Sequence, residues 1–412
     1  MTSPAAAAAR RGRILLLTPR WPWPVMGGDR LRIWHLARQL AQHHDITLLS
    51  LCQTRAELEA PQPDDGVFAA VHRVHLPRWR SWLQMVSALP TQVPLQVAYY
   101  RSGAFQRLVD ELLPRHDLIG CHLARTAPYA ASARVPRWLE MTDAVSLTMQ
   151  RAASLGSRRW IDPRHWAYRL EAGRMQACER SLVKTFDLVS LVSPVDAHVL
   201  EADAHAPVLV APNGVALPSA PLPPAGHRPA NVALVGRMDS LANRDALWFF
   251  VQDVLPRVRA TVPRAELHVV GHVTPADQAR LAREPGVRLT GTVARLEDAL
   301  RHCRVGVCPV RIGAGVQNKM LDYMAHGLAS VASPIGLEGL ALTPGREALC
   351  ASSVDDWVRL TTELLQDDTR ASALGEHGAA WARRHGSWQH ALSPLVARVQ
   401  ALLGPALSSA GH

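Results

Sequence analysis

The stretch Arg311 to Gly339, RIGAGVQNKMLDYMAHGLASVASPIGLEG, holds the residues best placed to do chemistry. Two glycines, Gly313 and Gly315, interrupt the apolar run Val305–Val310 and lead into helical spacing from Val316 to His326. A glycine loop feeding a helix N-terminus is an anion site, because unpaired N–H groups and the helix dipole point the same way. Lys319 adds a full positive charge in the first turn, where a cation disfavours the helix and an anionic ligand would compensate. Asp322 follows one turn later and can accept hydrogen bonds from sugar or ribose hydroxyls. Of the 45 Lys and Arg residues only Lys184 and Lys319 are lysines. A lysine kept in a glycine loop by a chain that otherwise writes Arg suggests a place for a compact ammonium rather than a planar guanidinium. Lys184 reads as an ordinary surface lysine.

Elements on either side must hold such a loop. Val305–Val310 reads as a buried parallel strand, and the helix after it turns Met320, Met324 and either Leu321 or Tyr323 inward. The chain opens with the apolar strand Arg13–Thr18, a Pro- and Trp-rich loop, and an amphipathic helix over about Asp29–His43 offering Leu31, Trp34, Leu36 and Leu40 to a core. Asp45–Cys52 is the next strand. Strand, helix, strand without hairpin signals implies a parallel βαβ unit. Further strands are expected at 117–121, 137–141, 188–192 and 208–211, with a long helix over 164–185. Val215–Ala230 carries five prolines and no periodicity, so it reads as a linker. A second series follows, with strands at 231–235, 266–270, 287–290, 305–310 and 329–332, and helices at 244–261, 275–283, 296–302 and within 353–403. The expected fold class is α/β, with two doubly wound Rossmann-like domains in tandem. The domains are 13–214, a linker at 215–230, 231–385, and a C-terminal helix at 386–404 with the option of crossing back to the first domain. Ligands of such sheets bind at the C-terminal ends of the strands.

The length of 412 residues fits two domains. A formal charge of +10 suits nucleic acid, an acidic membrane surface or phosphorylated substrates. The charge is scattered and no zinc-ligand or RNA-binding pattern occurs, which disfavours nucleic acid. Six cysteines without a CxxC pair read as buried free thiols in a reducing compartment. No apolar run reaches the roughly 20 residues of a spanning helix, and the first residues lack a signal-peptide core. The expected location is cytoplasmic, with any membrane contact peripheral, on the inner face of the plasma membrane. GxGxxG after the first strand, GxSxG, HExxH and the Walker pattern are absent. Asp64-Asp65 and Asp355-Asp356 read as surface turns, and His43-His44 as solvated helix-end residues.

Several features occur in a fixed order: Gly27-Gly28 after the first strand, Pro212-Asn213-Gly214 before the linker, Gly236-Arg237, Gly271 and Gly291 at strand ends, then the loop and helix of Lys319 and Asp322. This set resembles the retaining nucleotide-sugar glycosyltransferases of the GT-B fold, specifically glycosyltransferase family 4. GAGVQNKMLDYMAHGLASVAS with GLEGL, and GRMDSLANRDALWFF, look most like the sugar transferases of exosortase and exopolysaccharide loci. The resemblance implies two domains facing a central cleft and a nucleoside diphosphate sugar as co-substrate, without cofactor or metal. Arg237 and Lys319 would meet the diphosphate, with the N–H groups of Gly313, Ala314, Gly315, Val316, Gln317 and Asn318 around it. Asp322 would hold the ribose, as the second acid of the family's E-x7-E pattern. Val293 and Leu296 would pack near the base, beyond Gly291, and Gly271 would close a neighbouring strand end. Gly27 and Gly28 would admit the donor to the first-domain backbone, and His122 and Asp143 would lie near the transferred sugar. Asp143 reads equally as a helix N-cap, and His122 as a polar strand terminus.

The sequence departs from that pattern in three places. The first acid of E-x7-E falls on Ala314, the second is Asp rather than Glu, and the lysine usual after Gly-Arg falls at Asn243, beside Arg244. The expected reaction moves a hexosyl group, with retention, onto a lipid-linked or other saccharide acceptor in exopolysaccharide or surface-glycan synthesis. The alternatives are a catalytically silent GT-B scaffold or binding subunit, and a nucleotide-sugar 2-epimerase. Two Trp–Arg clusters, Arg78–Trp82 and Ser157–Trp166, suit either an anionic membrane surface or ordinary packing.

Overall fold

The computed structural model describes residues 11–25, 27–62, 65–155, 163–220, 222–343 and 345–404. Asp64 and most of the second Trp–Arg cluster lie outside them. The chain divides into two compact units. One comprises residues 1–146, 170–211 and 392–412, and the other 147–169 and 212–391.

The first unit is built on seven parallel strands: β1 (Arg13–Thr18), β2 (Asp45–Cys52), β3 (Ala70–His75), β4 (Leu118–His122), β5 (Arg137–Thr142), β6 (Leu188–Leu191) and β7 (Val208–Val210). Their order is β3-β2-β1-β4-β5-β6-β7. Strand order reverses between β1 and β4, so the loops leaving those two strands diverge and open a crevice at their C-terminal ends. The central strands read as continuous apolar runs because both faces are covered: Leu15, Leu17, Leu49, Ile119, Leu139 and Val189 are fully buried. Burying one such leucine contributes about 1.5–3 kcal/mol. β3, AVHRVH, escaped the sequence reading because it is half-buried along its whole length and lies at an edge, where charged and polar side chains are tolerated.

The helix Gly28–Leu40 corrects the expected core face. Ile33, Leu36, Ala37 and Leu40 are buried, together with Arg32. Leu31 and Trp34 are only half-buried, and Trp34 donates its indole N–H to Asp65 at 3.2 Å. Arg32 takes the inward place because it finds a carboxylate there. Its Nε and Nη2 meet Glu140 Oε1 and Oε2 at 2.7 and 3.1 Å. His44 is also buried rather than solvated, packed under the residue that precedes β1. The thiols are all free, but Cys178 is half-buried and Cys350, on an edge strand, is exposed.

The second unit is built on six parallel strands: β8 (Val232–Val235), β9 (Leu267–Val270), β10 (Val287–Gly291), β11 (Val305–Cys308), β12 (Ala329–Ala332) and β13 (Leu349–Cys350). Their order is β10-β9-β8-β11-β12-β13, with the reversal between β8 and β11. The helix expected over 244–261 starts at Leu241 and carries a π-turn at Phe250–Val254. Pro256 lies just beyond it, and the wider turn accommodates a residue that cannot donate to the helical ladder. Asp356 is not in a surface turn. It closes a capping box with Ser353 at the start of the helix Val354–Gln366.

Candidate functional site

In the second unit the reversal point lies between the end of β8 and the end of β11. Gly236 follows β8 with φ +150, and Gly271 follows β9 with φ +122. A Cβ on Gly271 would lie 2.1 Å from the carbonyl oxygen of Gly236, so the two strand ends approach as only glycine permits. Beyond β11, residues 312–316 form a buried loop, and the helix Asn318–Ala325 begins without a side-chain cap. The helices at Leu241, Pro275 and Pro334 of the same unit are capped by Ser240, Thr274 and Ser333. The uncapped helix is locked by Tyr323, whose hydroxyl donates to Val307 of β11 (3.2 Å) and accepts from the N–H of Val235 in β8 (2.8 Å). Gly306 in β11 makes room for that ring. Both Leu321 and Tyr323 face inward, where one of them was expected.

Lys319 is buried, with 7% of its surface exposed, and its ammonium donates to Asn243 Oδ1 at 2.5 Å. Asn243 Nδ2 donates in turn to the carbonyl of Arg237 at 3.0 Å. Lys319, Asn243 and the backbone of Gly236-Arg237 therefore form one connected group across the reversal point. Burial holds the Lys319 pKa below the usual lysine value, opposed by Cys308 and Asp322. Burial pushes Asp322 up to about 7, and Lys319 opposes that shift. Each charge is penalised by desolvation and partly restored by the other.

Other expected residues are engaged differently. The Arg237 guanidinium, 61% exposed, pairs with Asp239 at 2.6 Å. Arg244 pairs in bidentate fashion with Asp277 at 2.7 and 2.9 Å, in a group that also holds Thr274 and Trp248. Asn318 Oδ1 accepts from Asn213 Nδ2 at 2.7 Å, which ties the helix start to the Pro212-Asn213-Gly214 segment. Val293 and Leu296 are half-buried beyond β10, and Leu296 packs on the core beside β11. Sequence reasoning passed over Arg151 and Glu338. They pair at 2.7 Å, and Arg151 also donates to the carbonyl of Gly313, bracing the glycine loop. Glu338 stood in view within GLEGL, but nothing in the sequence joined it to residue 151.

In the first unit, Gly27 precedes the helix at φ +96 and Gly28 opens it. His122 ends β4, buried, with neither ring nitrogen hydrogen-bonded among the described residues. Burial lowers its pKa to about 4 against the pull of Asp29 and Glu140. Asp29 pairs with Arg20 at 2.7 Å, and Arg20, His122 and Arg125 hold it below the usual carboxylate range despite its burial. Asp143 follows β5. Desolvation first, then Asp196, push its pKa to about 7. Its own backbone is tightly placed: Thr142 donates to Glu140 Oε1 (3.1 Å), Ala144 to Asp196 Oδ1 (2.8 Å), and Ser146 N and Oγ to Glu179 (3.2 and 2.5 Å). Among the described residues no group of three His, Cys, Asp or Glu side chains is arranged to hold a metal ion.

Solved structures align with this arrangement over almost its whole length. Sucrose-phosphate synthase from Thermosynechococcus elongatus superposes with TM-score 0.72 at 16% identity, covering 95% of this chain and 99% of that one. HepE from Anabaena, solved in complex with UDP and glucose, gives 0.64 at 14% identity, covering 95% and 100%. Trehalose 6-phosphate synthase from Burkholderia multivorans gives 0.64 at 15%, covering 98% and 100%. The chain has the GT-B fold. No curated protein matches it by sequence. Residues 229–367 match the family described as Glycosyl transferases group 1. In this GT-B chain the glycosyltransferase pattern thus falls on the segment that holds Lys319, Asn243 and the glycine loop.

Proposed function

We propose that the protein is a glycosyltransferase that moves a sugar from a nucleoside diphosphate donor to a saccharide acceptor. The observation that carries this is the buried Lys319 in the first turn of an uncapped helix, hydrogen-bonded to Asn243 across the reversal point. A diphosphate there would meet the helix N–H groups and an ammonium whose charge is otherwise disfavoured by burial. Arg237 would contribute after leaving Asp239, and Asp322 would accept from the ribose hydroxyls. As the sugar–phosphate bond breaks, negative charge grows on the leaving diphosphate, and fixed donors stabilise it more than they stabilise the bound donor. The UDP- and UDP-glucose-bound structures of HepE support a nucleotide-sugar donor. In the first unit Asp143 and His122 are the titratable groups proposed to serve the transfer.

The finer reading follows the family 4 resemblance: a hexosyl donor, retention of anomeric configuration, no metal requirement, and a lipid-linked acceptor in exopolysaccharide or surface-glycan synthesis. Free thiols support a reducing compartment, hence the cytoplasmic face of the membrane. Ala314, where the pattern has an acid, favours one competing reading, a binding subunit that holds a nucleotide without turning it over. Calorimetry with nucleoside diphosphates and their sugars tests the site. Asp322→Ala is expected to weaken binding by about 0.5–1.5 kcal/mol per lost hydrogen bond. Unchanged affinity removes Asp322 from the site, and binding without turnover on any donor and acceptor membrane selects the silent subunit.

A further inference from the structure

The helix Arg78–Ala88 is turned inside out. Its buried residues are the small Ser81 and Ala88. Its bulky residues face outward: Trp79 and Trp82 are each 59% exposed, Leu83 and Val86 each 60%, and Leu89, one residue past the end, 54%. Their spacing of i, i+3, i+4, i+7 and i+10 places all five on one face. A soluble helix normally shows the opposite arrangement. The element is nevertheless firmly held. Arg174 donates to the carbonyl of Leu89 at 2.7 Å and pairs with Glu171, which accepts from the N–H of Leu95 at 2.7 Å. The apolar stripe is thus a fixed feature of the first unit.

Charge identifies what covers it. No Asp or Glu occurs between Asp65 and Asp110, whereas the exposed Arg78, Arg80, Arg101 and Arg107 fall in that interval. Arg78 and Arg80 are exposed on the helix itself, and the Arg80 guanidinium lies 5.2 Å from the Trp79 ring centroid. Among the described residues no helix is long and apolar enough to cross a membrane. A second copy docking stripe to stripe would bring like-charged arginines together, since a two-fold interface matches each patch with itself. An anionic bilayer satisfies both halves of the surface: tryptophans and aliphatic side chains enter the headgroup boundary while arginines meet phosphates.

We propose that the helix Arg78–Ala88, with Leu89, lies in the plane of an anionic membrane and anchors the first unit there. This deepens the proposed reading at the membrane face and rests on it, while nucleotide binding measured without vesicles stands or falls independently.

Sedimentation with vesicles of phosphatidylcholine, alone or with about a third phosphatidylglycerol, tests it. The protein is expected to pellet with the anionic vesicles and to be released by about 0.5 M salt, where screening is short-ranged. The double variant Trp79→Ser, Trp82→Ser alters only exposed side chains and should keep the wild-type melting curve. It should bind anionic vesicles at least about tenfold more weakly, from the apolar area lost. Arg78→Gln is expected to lose about fivefold and to reduce the salt dependence. Equal binding to neutral and anionic vesicles, or undiminished binding by the tryptophan variant, overturns the proposal. So does a self-association in solution that the tryptophan variant abolishes, which would assign the stripe to a second copy.

Discussion

The two units share a parallel doubly wound plan and differ in the local chemistry at the C-terminal ends of their strands. In the second unit the strand ends turn on Gly236, Gly271 and Gly291, and the loop on Gly315, all at positive φ. Beside them lies the buried ammonium of Lys319. In the first unit Leu123, just past β4, and Thr142, the last residue of β5, are non-glycine residues at φ +66 and +68. Such positions cost about 1–3 kcal/mol each and persist only where the surroundings over-determine them. The surroundings are carboxylates: Glu140, Asp196 and Glu179 hold the backbone from Thr142 to Ser146. One fold therefore turns its strand ends on glycine beside a buried ammonium in one unit, and on backbone held by buried carboxylates in the other.

The comparison breaks most visibly at Glu140. This buried carboxylate joins Arg32, Ser190 and the N–H of Thr142. Glu140→Ala removes the carboxylate that meets the buried Arg32 guanidinium at two atoms, and is expected to cost about 3–5 kcal/mol of stability in urea unfolding. A loss below about 1 kcal/mol would show that the first site is held by packing instead. In the second unit the expected damage is to rate rather than stability. Lys319→Ala should lower kcat on the order of 10²–10³. Lys319→Arg keeps the charge on a larger planar head and should recover only part of that rate. Near-normal kcat in Lys319→Ala would reduce the residue to a structural lysine.

A third test concerns the raised carboxyl of Asp143. With a folded pKa of about 7 against an ordinary value of 3.8, the folded protein keeps a proton that the unfolded chain releases. Between those values the contribution to stability falls as pH rises. Asp143→Asn should flatten the decline over that window, measured as the wild-type-minus-variant difference in urea midpoints from about pH 4 to about pH 7. An unchanged slope would mean that Asp143 is ionised in the folded protein and that the acids of the first site repel less than their burial implies.

Much of this was legible in the residues. β1, β2 and β12 carry the bounds read from the sequence: β1 is a run of Ile and Leu, and β2 and β12 are short buried stretches of apolar and small residues, as strands covered on both faces are. The glycine loop and Lys319 were equally plain. The short edge strand β13 was not, since two residues make no pattern. The inward turn of Arg32 was hidden as well, because an arginine on a helix reads as solvent-facing until its carboxylate partner, 108 residues away, is in place.

The sequence by itself determined the two-part parallel α/β plan, the glycine turns and the lysine that follows the glycine loop. These are encoded locally, in runs and spacings of a few residues. Only the tertiary structure decided which long-range partners close each site: Asn243 with Lys319, Asn213 with Asn318, Arg151 with Gly313 and Glu338, and Glu140 with Arg32. It also decided that the Trp–Leu stripe of Arg78–Ala88 faces outward, a matter of which side of a helix meets its neighbour. Hydrogen bonds and burial depend on what the chain brings from far away, and no local spacing records that.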